Sequence, residues 1–151
     1  MPDPTTALGQ APIGRTEVLL VEDDVSLAGI VARHLEGHGF PTTIAQSAEE
    51  GARRLSLGLR PALVLLDINL PGGTGWSLLR SSEYAEAGSP PVVVVSATRI
   101  PSAKLHAFAV RGYLPKPFSM DTLIETVRRH ATGEPDTAED LDGPNEVEQP
   151  L

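Results

Sequence analysis

Asp67 ends an unbroken apolar run, LVLLD (residues 63–67), and is followed by INLPGGTGW, whose Pro and glycines break a strand into a loop. A carboxylate carried by a buried segment to a glycine-rich rim is placed for chemistry. Other polar groups end other apolar runs in the same way. VLLVE is followed at once by Asp23 and Asp24, VVVVS ends on Ser96 with small Ala97 behind it, and YLP runs into Lys116 and Pro117. Three carboxylates brought to one rim repel. At about 4 Å and an effective dielectric near 20, each like-charge pair costs roughly 4 kcal/mol. Positive charge must meet them. Lys116 supplies one charge, and a divalent cation would supply two more. An all-oxygen donor set suits Mg²⁺, or Mn²⁺, rather than zinc. A metal beside a carboxylate, a hydroxyl and an ammonium is an arrangement for phosphoryl transfer, in which the phosphoryl oxygens are neutralised while phosphorus meets an in-line nucleophile. An Asp carboxylate can be that nucleophile and become an acyl phosphate. Asp67, alone at the end of its run, takes this part. Asp23 and Asp24 then hold the metal, one directly and one through water. Ser96 donates to a phosphoryl oxygen, Lys116 pairs with another, and small Ala97 leaves room for the group to enter.

These groups meet only if their runs are neighbouring strands, and the chain alternates as that requires. VLLVE is followed by a helical segment with Leu27, Ile30, Val31, His34 and Leu35 at its spacing, stopped by Gly37 and Gly39. FPTTIA is a more polar strand and reads as an edge, because Pro41 cannot donate to a ladder. SAEEGARRLSLGL reads as a helix capped by Ser47, with Ala48, Ala52 and Leu55 on one face. GWSLLRSSEYAEAG contains one helix with Trp76 packed beneath the loop, SAKLHAFAVRG is another, and Ser119 caps a last one. Strands buried on both faces lack hydrophobic alternation, as ALVLLD and PVVVVSA do. The expected fold class is therefore α/β, a doubly wound five-stranded parallel sheet with helices on both faces. In such sheets the working crevice lies outside the carboxyl ends of the strands.

The chain has 151 residues, enough for one domain with a real core. It has no cysteine, which excludes disulfides, zinc–cysteine sites and thiol catalysis. The first stretch lacks the pattern of a secretion signal and no apolar run approaches a membrane span, so a cytoplasmic protein is expected. The net charge of −8 is uneven. Seven of the 20 acidic residues, and no Lys or Arg, lie from 131 onward, leaving 12 basic and 13 acidic residues elsewhere. Neither part carries the concentrated basic surface that nucleic acid demands. The expected organisation is a disordered arm over 1–15, a body over 16–131 and a disordered acidic tail over 132–151.

The motifs LVEDD, LLDINLPGGTGW, VVVVSAT and YLPKPF, in this order, resemble the receiver domain of two-component response regulators, over nearly the whole body. The resemblance implies the flavodoxin-like strand order 2-1-3-4-5. It implies that Asp67 accepts a phosphoryl group from a sensor histidine kinase or a histidine phosphotransfer protein. It implies Asp24 and Asp67 as Mg²⁺ ligands with Asp23 assisting through water and the backbone carbonyl of Asn69 completing the set. Ser96 and Tyr113 match the family's switch pair, Lys116 its lysine, and the Lys116–Pro117 bond is expected to be cis. The segment between Ser96 and Lys116 is shorter than the family's usual pattern, and Gly112 runs straight into Tyr113. The expected function is a stand-alone, phosphorylation-controlled module that is not an enzyme, though it has its own self-phosphorylation and autodephosphorylation chemistry. It acts as a monomer or weak dimer through contact with an output protein or by relaying the phosphoryl group, with no DNA-binding domain and no nucleic-acid or membrane partner.

Simpler readings stand beside these. Asp23 and Asp24 could only cap a helix, Asp67 a turn, and Ser96, Tyr113 and Lys116 are each unremarkable alone. Their placement on successive strand ends favours the joint reading. HLEGH, with His34 and His38, has Leu35 where a zincin needs Glu, and PGGTG lacks the Lys of a phosphate-binding loop. His106 and His130 read as packing or surface residues. Two other functions remain in view: a phosphorylation-independent scaffold of the same fold, and a Mg²⁺-dependent phosphatase of the haloacid dehalogenase type. The second needs an acid two residues after the nucleophile, where this chain has Asn69.

Overall fold

The computed structural model describes residues 16–70 and 74–131. The expected arm and acidic tail, and Pro71, Gly72 and Gly73, lie outside the described residues. The elements alternate: β1 (Val18–Val21), α1 (Val25–Gly37), β2 (Thr42–Ala45), α2 (Ala48–Ser56), β3 (Leu63–Asp67), α3 (Trp76–Leu79), α4 (Ser82–Glu86), β4 (Val92–Ser96), α5 (Ser102–Ala107), β5 (Gly112–Pro115) and α6 (Met120–Ala131). The strands form one parallel sheet in the order β2-β1-β3-β4-β5. The expected α/β doubly wound fold is therefore present, with β2 as an edge.

Successive side chains of a strand point to opposite faces, and here both faces are apolar. Leu19, Val21, Val64, Leu66, Val92 and Val94 pack with residues of α2, α3 and α5 on one side. Val18, Leu20, Leu63, Leu65, Val93 and Val95 pack with α1 and α6 on the other. That double burial explains why the central strands read as continuous apolar runs.

Three details differ from the sequence expectation. The inward face of α1 is Ala28, Val31, Ala32 and Leu35, while Ile30 is exposed. The buried set keeps helical spacing but is centred on small residues, which let the helix lie close to the sheet. The segment after Asp67 forms two short helices instead of one. Ser81 is extended and its hydroxyl accepts from the Tyr84 N–H at 3.1 Å, so it caps a new helix and stops the old one. The helix before β5 is only six residues long, shorter than the SAKLHAFAVRG segment suggested.

Trp76 joins the two short-helix regions. It is buried and stacks on Phe108 with ring centroids 4.7 Å apart. Lys104 Nζ lies 5.1 Å from the Trp76 ring and the Arg80 guanidinium 5.2 Å from the Phe108 ring. Cations over aromatic faces are attracted by the ring quadrupole, so the four side chains tie α3 to α5. Trp76→Ala is expected to cost about 3–5 kcal/mol of stability through the cavity it leaves, read by urea unfolding. A loss under 1 kcal/mol would mean that the stack contributes little.

Candidate functional site

The parallel register brings the strand ends to one rim. Val21 of β1 pairs with Leu66 of β3, so Glu22 and Asp67 follow side by side. The ladders run one step beyond the regular strands: Glu22 N–H donates to the Ala45 carbonyl at 2.9 Å, Ile68 N–H to Val95 at 3.0 Å and Lys116 N–H to Ser96 at 2.8 Å. These backbone bonds fix Glu22, Asp67, Ser96 and Lys116 at one level. The Lys116–Pro117 bond is cis.

Lys116 sits between two buried carboxylates. Its Nζ donates to Glu22 Oε1 at 3.1 Å and to Asp67 Oδ2 at 3.3 Å. Burial alone would lower the Lys116 pKa, but the bond to Glu22 and the charges of Asp67 and Glu22 outweigh it and raise it above its ordinary value. The ammonium therefore stays charged. Burial also dominates at Glu22 and pushes its carboxyl up. The Asp24 N–H and Lys116 pull it down, the Asp67 charge pushes it further up, and the net result lies above the usual 4.5. Glu22 is thus a carboxylate that gains from more positive charge nearby. The other Asp67 oxygen, Oδ1, accepts from the Asn69 N–H at 2.9 Å, which fixes the carboxylate plane.

Glu22, Asp23 and Asp67 each offer an oxygen within 4.8 Å of the others. Three carboxylates at this spacing match the all-oxygen donor set of a hard divalent cation, and burial is the main reason that the Glu22 carboxyl is pushed up. Asp24 is not in the cluster, which corrects the expected Asp23–Asp24 pair to Glu22–Asp23. Asp24 is exposed and extended, and its Oδ1 accepts from the Leu27 N–H at 3.0 Å as the N-cap of α1. The reason is register. β1 reaches the rim one residue earlier than the sequence suggests, so the third acid is already in the helix cap. Glu22 was visible in LVEDD, but only the pairing with β3 assigns it to the site.

A second polar cluster adjoins the first. Ser96 is fully buried. Its Oγ lies 3.0 Å from Asn69 Oδ1 and 2.8 Å from the Thr98 carbonyl, and it accepts from the Thr98 N–H at 3.0 Å. A hydroxyl has one proton, so Asn69 and the Thr98 carbonyl are alternative acceptors. The buried Tyr113 hydroxyl donates to the same Thr98 carbonyl at 3.3 Å. Ser96 and Tyr113, paired by sequence resemblance, thus meet at Thr98. That residue was part of the quoted VVVVSAT, but its side-chain type gave no reason to single it out.

Gly75 closes the loop after Asp67. Its N–H donates to the Ile68 carbonyl at 3.0 Å. A Cβ here would stand 2.5 Å from the Asp67 carbonyl oxygen and 3.0 Å from Leu66 Cγ. The residue has ordinary right-handed helical angles, so close approach alone demands glycine. Gly75→Ala is expected to lose about 1–3 kcal/mol, as overpacking does, measured by thermal unfolding. An unchanged Tm would show that the loop yields freely.

Among the described residues no helix is long and apolar enough to cross a membrane. The family model described as the response regulator receiver domain matches residues 18–128. The chain is similar to the KDP operon transcriptional regulatory protein KdpE of Escherichia coli (strain K12), at 33% identity over 128 residues, covering 80% of this chain and 56% of that protein. It is similar to the DNA-binding response regulator MtrA of Mycobacterium tuberculosis (strain H37Rv), at 34% identity over 115 residues, covering 76% of this chain and 50% of that protein. The chain spans about half the length of the curated relatives it matches. Among solved structures, the receiver domain of the Francisella response regulator 1452 is 28% identical with a TM-score of 0.67, covering 78% of this chain and 97% of that one. A CheY-like receiver domain protein from Methanospirillum hungatei JF-1 shares the fold at 24% identity and a TM-score of 0.70, over 78% of this chain and 94% of that one.

Proposed function

This chain belongs to the response regulator receiver domain family, and on that premise we propose that it takes a phosphoryl group onto Asp67 from a sensor histidine kinase or histidine phosphotransfer protein. The observation that carries the reading is the setting of Asp67. It is a buried carboxylate at the end of the central strand, with Lys116 Nζ 3.3 Å from one oxygen, the Asn69 N–H 2.9 Å from the other, and Glu22 and Asp23 beside it.

In the proposed reaction an Asp67 carboxylate oxygen bonds to phosphorus as the donor's phosphorus–nitrogen bond breaks, and the electron pair leaves with the imidazole. Glu22, Asp23 and Asp67 would hold Mg²⁺, with Mn²⁺ as a substitute and the Asn69 carbonyl as a further oxygen. When bound, the ion supplies positive charge to the phosphoryl oxygens. Lys116, already charged and shared between Glu22 and Asp67, moves its contact toward the new negative charge. Ser96 can turn its single proton from Asn69 or Thr98 to a phosphoryl oxygen. That exchange would free the Thr98 carbonyl, to which Tyr113 donates, and so pass the change from site to surface.

Output is proposed to run through protein contacts, or through onward relay of the phosphoryl group. The near balance of 12 basic and 13 acidic residues outside 131–151 supports this. KdpE and MtrA are named as a transcriptional regulator and a DNA-binding regulator. A pull-down with and without beryllofluoride tests the output. Capture of duplex DNA in preference to protein would refute the contact reading.

The phosphoryl reading is tested by intact mass after exposure to acetyl phosphate and Mg²⁺. The expected result is a gain of one phosphoryl group, lost when EDTA replaces the metal. An unchanged mass would favour the scaffold reading, and sustained release from a phosphate ester would favour the phosphatase.

A further inference from the structure

Beyond the phosphoacceptor site, the charge of the chain is divided in a way that the proposed reaction does not use. Outside that site, residues 97–131, which hold α5, β5 and α6, carry five basic residues (Arg99, Lys104, Arg111, Arg128, Arg129) against two acids, Asp121 and Glu125. Residues 132–151 carry seven acids (Glu134, Asp136, Glu139, Asp140, Asp142, Glu146, Glu148) and no Lys or Arg. The two stretches are consecutive and opposite in sign.

Three of the arginines are gathered where the first stretch passes into the second. Arg128 and Arg129 lie in the last turn of α6. That turn packs on the start of β5, since His130 Nε2 is 2.9 Å from where a Cβ of Gly112 would stand. Arg111 immediately precedes β5, and its N–H donates to the Val92 carbonyl at 2.8 Å, at the first residue of β4. Arg111 and the Arg128–Arg129 pair therefore lie at the same end of the β5 edge. Among the described residues that edge has a strand neighbour on one side only. Glu125 lies 3.8 Å from Arg128, an exposed pair of little worth. Glu134 is three residues beyond Ala131, within about 10 Å of chain reach.

We propose that the acidic segment 132–151 docks back on the β5 edge and its flanks, with its carboxylates against Arg111, Arg128 and Arg129. The occupant fits because it is tethered at the site, opposite in charge and long enough to follow a four-residue strand. Tethering makes the encounter intramolecular, at an effective concentration far above that of a free partner. Salt weakens the contact, since the Debye length falls from about 10 Å at 0.1 M to about 3 Å at 1 M. Docking covers a face that a second copy or an output protein would otherwise reach, so the segment acts as a built-in competitor for it.

Amide spectra of the full chain test this. One variant replaces Glu134, Asp136, Glu139, Asp140 and Asp142 by Gln or Asn, which leaves the body untouched. The expected result is a set of shifts confined to the variant segment and to amides 111–114 and 126–131. The wild-type chain at 1 M NaCl should move the same body amides in the same direction. A second variant, Arg128→Glu with Arg129→Glu, should reproduce those shifts in the wild-type segment. Body amides that stay fixed in the first variant and at high salt would overturn the proposal. So would a wild-type chain whose β5 edge is covered by a second copy, seen as a dimer by sedimentation. A chain that is monomeric as wild type and dimerises only when the acids are neutralised would support it.

Discussion

Asp67→Asn protein is expected to take up no phosphoryl group from acetyl phosphate under conditions that phosphorylate the wild type fully, and to remain folded. The amide that replaces the carboxylate is no nucleophile, whereas its carbonyl oxygen can still accept the Asn69 N–H that the wild-type oxygen accepts at 2.9 Å. Lys116 keeps Glu22 at 3.1 Å as its partner. The substitution also removes one of three crowded negative charges, so stability should change by no more than about 1 kcal/mol. Intact mass and peptide mapping read the first part, and urea unfolding the second. Label that persisted on the peptide carrying residue 67 would refute the assignment of the acceptor. A variant that failed to fold would mean that the carboxylate holds the rim together.

A second large effect should separate two neighbouring acids. Asp23→Asn is expected to abolish the stabilisation that Mg²⁺ gives the wild type, which amounts to about 1.4 kcal/mol at a tenfold excess over Kd. It should also abolish Mg²⁺-dependent phosphorylation. Asp24→Ala should retain both and instead cost about 1 kcal/mol of stability as the cap of α1 is lost. Thermal unfolding with Mg²⁺ and with EDTA distinguishes them. If Asp24→Ala removed the metal response and Asp23→Asn did not, the cluster of Glu22, Asp23 and Asp67 would be misassigned.

That pair also marks where sequence reading stops. The strands were legible because a strand buried on both faces must be apolar at every position, and β3 and β4 are. Asp67 and Lys116 were legible because one ends its strand and the other follows its strand, with no competing group beside it. The three acids after β1 were not resolved, because composition cannot say which residue is last in the ladder. The pairing of Val21 with Leu66 decides it, and that contact spans 45 positions of chain. The same limit hid the break between α3 and α4, where Ser81 sits in a segment of helix-compatible residues and only its extended backbone shows the cap. Thr98 went unassigned because it acts through a backbone carbonyl, which every residue has.

Trp76 is the only tryptophan in the chain. It lies one residue beyond Gly75, whose backbone is held against the strand end that carries Asp67, and its ring rests on Phe108 across the α3–α5 contact. The protein therefore carries its own optical probe. Ultraviolet emission excited selectively at the indole comes from one place, between the acceptor loop and the helix before β5. Titrations with metal or phosphodonor can be followed by that emission in the unlabelled chain, and any signal they produce has a single known origin.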